Sequence, residues 1–139
     1  MNTEQQVKTR SSTTATKVLK QVQQRNWNRS TNLDEIKQYG NLAASLPGLV
    51  RSAGLAQAIA YIEVRGTKEG QKALYDDLCV VLGWPVGTKK VAAAQIVQQD
   101  LQTYMQTTRQ TLDALVWFKR FSQSVLGFDP VKDTNEGQR

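Results

Sequence analysis

A chain of 139 residues, 40% apolar and 22% charged, is long enough for one domain that buries a core unaided by disulfide or metal. With no histidine and a single cysteine, Cys79, it excludes Ser–His and Cys–His nucleophiles, histidine-ligated metals, zinc clusters and intrachain disulfides. Eighteen Lys and Arg against 12 Asp and Glu give a net charge of +6, which points to a polyanionic partner, nucleic acid first, and no cofactor is expected.

Residues 1–29 hold six cations, Lys8, Arg10, Lys17, Lys20, Arg25 and Arg29, against Glu4 alone. Val7, Ala15, Val18, Leu19 and Val22 recur at helical spacing, with Arg10, Lys17 and Lys20 off that stripe. This predicts an amphipathic helix with a basic outer side. Residues 1–12 read equally well as a disordered basic arm, and residues 13–128 as a single helical domain. Next, Asn32 can cap a helix with Glu35 at its third position, and Leu33, Ile36, Tyr39, Ala43 and Leu46 form the apolar stripe. Pro47 is expected to end that helix and open another running to Arg65. The second helix is apolar almost all round, so a central place is expected for it. Arg51 stands at the end of its stripe, either reaching solvent, pairing with a carboxylate, or aimed at a phosphate.

Gly66 suits a helix end and Thr67 the next cap. Over residues 68–83, Ala73, Leu74, Leu78, Val81 and Leu82 share a face, and Cys79 reads as a buried, inert thiol. GWPVGTKK is a loop, after which Thr88 can cap a helix beginning at Lys89 and Lys90. Asp100 can cap a last long helix reaching Leu126, with Leu101, Tyr104, Met105, Thr108, Leu112 and Leu115 on one face. Residues 129–139 read as a disordered polar tail. The fold class is therefore all-α, a compact bundle of five to six helices with a long C-terminal helix.

Within LDALVWFKRFSQSVLG (112–127), Phe118 and Phe121 are expected in the core and Trp117 less so. Lys119 is the anomaly, because it falls on the face of Leu112 and Leu115. A lysine there must reach solvent at an edge, meet a carboxylate, or meet a ligand anion. Carboxylate catalysis has little support: Asp34–Glu35 and Asp76–Asp77 are sequence neighbours, which a helix turns about 100° apart, and they read as solvated faces. No apolar run approaches the ~18 residues of a membrane span, and the start of the chain has no secretory h-region. The expectation is a cytoplasmic protein that is no enzyme and has no membrane partner.

Two segments carry a resemblance. SLPGLVRSAGLAQAIAYI (45–62), through Leu46, Pro47, Gly54, Leu55 and Ala58, and DALVWFKRFSQS (113–124), through Trp117, Lys119, Arg120 and Phe121, resemble signature blocks of the small, fifth subunit family of the type III-B CRISPR RNA-targeting effector, the Cmr complex. The resemblance implies a non-catalytic helical subunit of an RNA-guided antiviral ribonucleoprotein. Several copies would stack along a filament beside the backbone subunits, with guide RNA and target RNA as partners. The isolated chain would be monomeric or weakly self-associating. Combined with the charge pattern, it makes Lys17, Lys20, Arg51, Lys119 and Arg120 the candidate phosphate contacts. A pure assembly subunit without RNA contact and a stand-alone helical nucleic-acid-binding module remain alternatives.

Overall fold

The computed structural model describes residues 10–87 and 89–134. Its elements are α1 (Arg10–Arg25), α2 (Leu33–Ala53), α3 (Leu55–Arg65), α4 (Glu69–Leu82), α5 (Ala92–Ile96) and α6 (Leu101–Ser124), with no strand among the described residues. The all-α class and the long C-terminal helix are as expected. α6 packs along both α1 and α2, and α4 closes the other side of α2. Val18 and Val22 of α1, Ile36, Tyr39, Ala43, Leu46 and Val50 of α2, Leu74 and Leu78 of α4, and Leu115 and Phe118 of α6 are all buried in this core. Val7 of the expected first stripe, the cation Lys8 and the side chain of Arg10 lie outside the described residues.

Several boundaries depart from expectation. α2 does not stop at Pro47 but runs 21 residues through it. A proline forfeits one helical hydrogen bond, and the buried Ala43, Leu46 and Val50 hold the helix together across that loss. The break comes instead at Gly54, whose φ of 91° suits glycine and whose N–H donates to the Val50 carbonyl at 2.9 Å. Asn32 makes no side-chain cap; Asn28 organises the turn, its Oδ1 accepting from the N–H groups of Ser30 and Thr31 at 3.0 and 3.1 Å. Lys68, rather than Thr67, precedes α4, and its N–H donates to Gln71 Oε1 at 3.2 Å. α5 begins at Ala92, so Lys89 and Lys90 belong to the loop before it, while Thr88 lies outside the described residues.

α3 is not central. It packs on α5 and α2 and buries Leu55, Ala58, Ile59 and Ile62, but leaves Tyr61 and Val64 exposed. On α6 the buried face is Thr107, Thr111, Ala114, Leu115, Phe118 and Ser122, while Leu101 and Met105 face outward. Threonine can be buried there because its hydroxyl bonds the preceding turn: Thr111 Oγ1 donates to the Thr107 carbonyl at 2.7 Å and Thr107 Oγ1 to that of Thr103 at 2.9 Å. Asp100 does cap α6, accepting from the Thr103 N–H at 2.8 Å.

Residues 129–134, expected as the start of a disordered tail, pack on the body. Gly127, at φ 79°, reverses the chain after α6, and Phe128 is buried against Gly40 of α2. Asp133, also buried, takes a bidentate pair from Arg29 at 2.6 and 3.2 Å, and its carbonyl accepts from Asn41 Nδ2 at 2.6 Å. Residues 135–139 lie outside the described residues.

Candidate nucleic-acid interface

On α2, Ala44, Pro47, Gly48 and Arg51 recur at three and four residues and so share a face. On α6, Leu115, Val116, Lys119, Arg120 and Gln123 do the same. Packing α2 against α6 sets these faces opposite each other as the lining of one groove of about 670 Å³. Arg51 comes to it from α2, and Lys119, Arg120 and Gln123 from α6; Ala44, Pro47, Gly48, Leu115 and Val116 complete the lining. Arg51, Lys119 and Arg120 are all exposed, and among the described residues no carboxylate lines the groove. Among the described residues, no carboxylate pairs with the side chain of Arg51 or Lys119. Of the fates open to Lys119 on its apolar seam, the edge is the one taken, and Arg51 reaches solvent at the same edge.

The neighbouring rings divide. Phe118 is fully buried and meets Tyr39 edge-on, with centroids 6.2 Å apart. Phe121 is only half-buried, a departure from its expected core place. It stacks on Trp117 at 5.5 Å and 24°, and the Arg120 guanidinium lies 5.7 Å above the Trp117 ring. Cation–π contact of this kind holds a guanidinium in place at little cost to its charge.

The other two candidates lie elsewhere. Lys17 and Lys20 are exposed on α1. Lys17 lines a second, smaller groove of about 220 Å³ with Thr13, Thr14, Val81, Leu82 and Gln110, and Lys20 lines neither groove. The structure thus gathers Arg51, Lys119 and Arg120 and leaves Lys17 and Lys20 apart from them. Two cations of the basic N-terminal stretch are spent internally. Arg25 donates from Nε and Nη2 to the carboxylate of Asp77 at 3.0 and 2.6 Å, and Arg29 is the partner of Asp133. Asp77 is accordingly buried, not a solvated face, and also accepts from the Tyr39 hydroxyl at 2.7 Å. Hydrogen bonding to the carboxylate pushes the Arg25 guanidinium above its ordinary range.

The groove offers donors, guanidinium, ammonium and the Gln123 amide, and so can hold an anion. Sequence reading missed Gln123 and the lining residues Ala44 and Gly48. Their spacing from Lys119 and Arg51 was available as a signal, but which two faces would meet was not. Cys79 is buried and its thiol is pushed up to about 11 by desolvation, away from nucleophilic reactivity at neutral pH. Among the described residues no cluster of three His, Cys, Asp or Glu could hold a metal ion, and no helix is long and apolar enough to cross a membrane.

Fold and site together define a small all-α protein with a groove on one face lined by Arg51, Lys119 and Arg120. Residues 10–125 match the sequence model of the family described as "CRISPR-associated protein (Cas_Cmr5)", and the chain belongs to that Cmr5 family. A relative from Thermus thermophilus, "CRISPR system Cmr subunit Cmr5", is 44% identical over 89 residues, 64% of this chain and 75% of its own length. The crystal structure of a CRISPR-associated Cmr5 family protein from the same organism superposes with a TM-score of 0.69 at 36% identity, covering 86% of this chain and 99% of that one.

Proposed function

We propose that the chain is a non-catalytic small subunit of an RNA-guided CRISPR effector of the Cmr type. In this reading it stands in several copies beside the backbone subunits and contacts guide or target strand backbone through Lys17, Lys20, Arg51, Lys119 and Arg120. The observation that carries it is the meeting of Arg51 with Lys119 and Arg120. Cations from segments far apart in the chain line one groove, which holds no carboxylate among the described residues. Phosphate contacts of this kind add affinity without reading sequence, which suits an assembly where base pairing does the reading. The test is K119A/R120A in the assembled complex, with target-RNA affinity measured at two salt concentrations. Weaker binding and a shallower salt slope are expected; unchanged affinity and slope with assembly intact would remove both residues from RNA contact.

A second reading, a pure assembly subunit, is favoured by a different observation. Tyr61 and Val64 on α3, Val97 after α5, and Leu101 and Met105 at the start of α6 are large apolar side chains left exposed. These suit protein partners, further copies included. The two readings separate by order of failure: in an assembly subunit, lysine and arginine substitutions reduce recovery of the complex before they affect RNA binding. A stand-alone module would instead bind RNA as the isolated chain at micromolar concentration.

A further inference from the structure

Gly48 lies inside a helix and lines the groove, at a position where glycine lowers stability relative to alanine. Every other described glycine has a visible reason. Gly40, Gly66 and Gly70 have no room for a Cβ, and Gly54, Gly83, Gly87 and Gly127 take positive φ. A Cβ at Gly48 would meet nothing within 4 Å. Neither packing nor backbone conformation within this chain explains it. A ligand lying against it would.

We propose that the α2–α6 groove is a seat for one phosphodiester unit of a single nucleic-acid strand, and that Gly48 is the clearance that lets the strand enter it. This rests on the RNA-contact reading above and deepens it. The groove's size falls in the ~300–1,000 Å³ range of sites that enclose small ligands, so it admits a phosphate together with its sugar. Arg51 from α2 and Lys119 from α6 both reach that phosphate, with no competing carboxylate among the described residues of the lining. Gln123, on α6 with Lys119, offers an amide to a ribose hydroxyl or base edge. Two packed helices stand only ~8–10 Å apart between axes. One strand's backbone can lie in that furrow, whereas the bulk of a double helix would ride on its rims.

Three variants in the reconstituted effector complex test this by titration with complementary target RNA. G48L fills the groove and removes no charge; A44L fills it from the neighbouring turn, should the first variant fail to assemble; R51A/K119A removes the charge and leaves the groove open. Either filling variant is expected to weaken target binding about tenfold or more, the size of one charge-assisted hydrogen bond. R51A/K119A should weaken it too and flatten the salt slope by ~0.7 for each phosphate no longer neutralised. G48L added to R51A/K119A should do little more. In the isolated chain, where only weak binding is expected, the Gly48 amide resonance should shift with a uridine decanucleotide at millimolar concentration and stay put with a double-stranded RNA of equal length; an equal shift with both would overturn the single-strand seat. Full affinity for G48L or A44L beside a weakened R51A/K119A would overturn the seat and leave the cations acting from the rim. Full affinity for all three would overturn the RNA-contact reading itself.

Discussion

Lys17 and Arg25 are eight residues apart on α1 and have opposite fates. Lys17 is exposed beside a small groove, while Arg25 is fixed on the buried Asp77. The difference is one of partners: α4 brings a carboxylate to Arg25 and only Val81 and Leu82 to the groove of Lys17. D77N would leave a half-buried guanidinium without its counter-charge and weaken the acceptor for Tyr39. A loss of about 2 kcal/mol is expected, read as a lower urea midpoint with unchanged slope. The two buried aspartates shift in opposite directions. Burial raises Asp77 above the ordinary carboxylate range, whereas hydrogen bonding to Arg29 holds Asp133 below it. A depressed carboxylate contributes stability that is present above its unfolded pKa, near 3.9, and is lost as pH falls through its folded value. The stability difference between wild type and D133N should therefore be full at pH 7 and shrink below about pH 4. A difference constant down to pH 2 would contradict the ion pair.

At the scale of elements, the C-terminal strap and the α2–α3 break rest on close approach and backbone conformation. A Cβ at Gly40 would lie within 2.6 Å of the Phe128 ring, so G40A should eject that ring as surely as F128A removes it. F128A should lose about 3 kcal/mol. G40A should lose a similar amount, and the double variant clearly less than the sum, a coupling that chemical denaturation measures directly. G54A forces a side chain into the positive-φ conformation that separates α2 from α3. It should lower stability by about 1–3 kcal/mol, visible as a reduced Tm. Pro47, which looked like the helix terminator, carries no comparable role as a break, since α2 continues through it.

At the scale of the whole molecule, the candidate cations fall into separate sectors rather than one patch. Arg51, Lys119 and Arg120 share the α2–α6 groove, Lys17 borders a separate one, and Arg25 and Arg29 are neutralised within the fold. Independent sectors act additively on binding. K17A/K20A and R51A/K119A should each flatten the salt dependence of target-RNA binding, by ~0.7 for each phosphate left without its cation, and the quadruple variant by their sum. A K17A/K20A complex with wild-type slope would confine RNA contact to the groove. Exposed apolar side chains on α3 and around the start of α6 lie apart from the groove's lining.

The helical class, the buried stripes of α2 and α4, the Asp100 cap and the anomaly of Lys119 were legible in the residues, because periodicity and capping act within a few turns of the chain. The family resemblance was legible too, in two short blocks. Which helix faces meet was not: the alignment of Arg51 with Lys119, the burial of Asp77 and the docking of Phe128 on Gly40 each join residues from separate elements. A helical wheel shows that a cation or carboxylate leaves its stripe, but not what stands opposite. Tertiary packing alone decided that Arg25 and Arg29 would be consumed inside the protein, and that Arg51, Lys119 and Arg120 would remain available around a groove that Gly48 also lines. Long-range pairing depends on how whole helices cross, and local sequence does not carry that information.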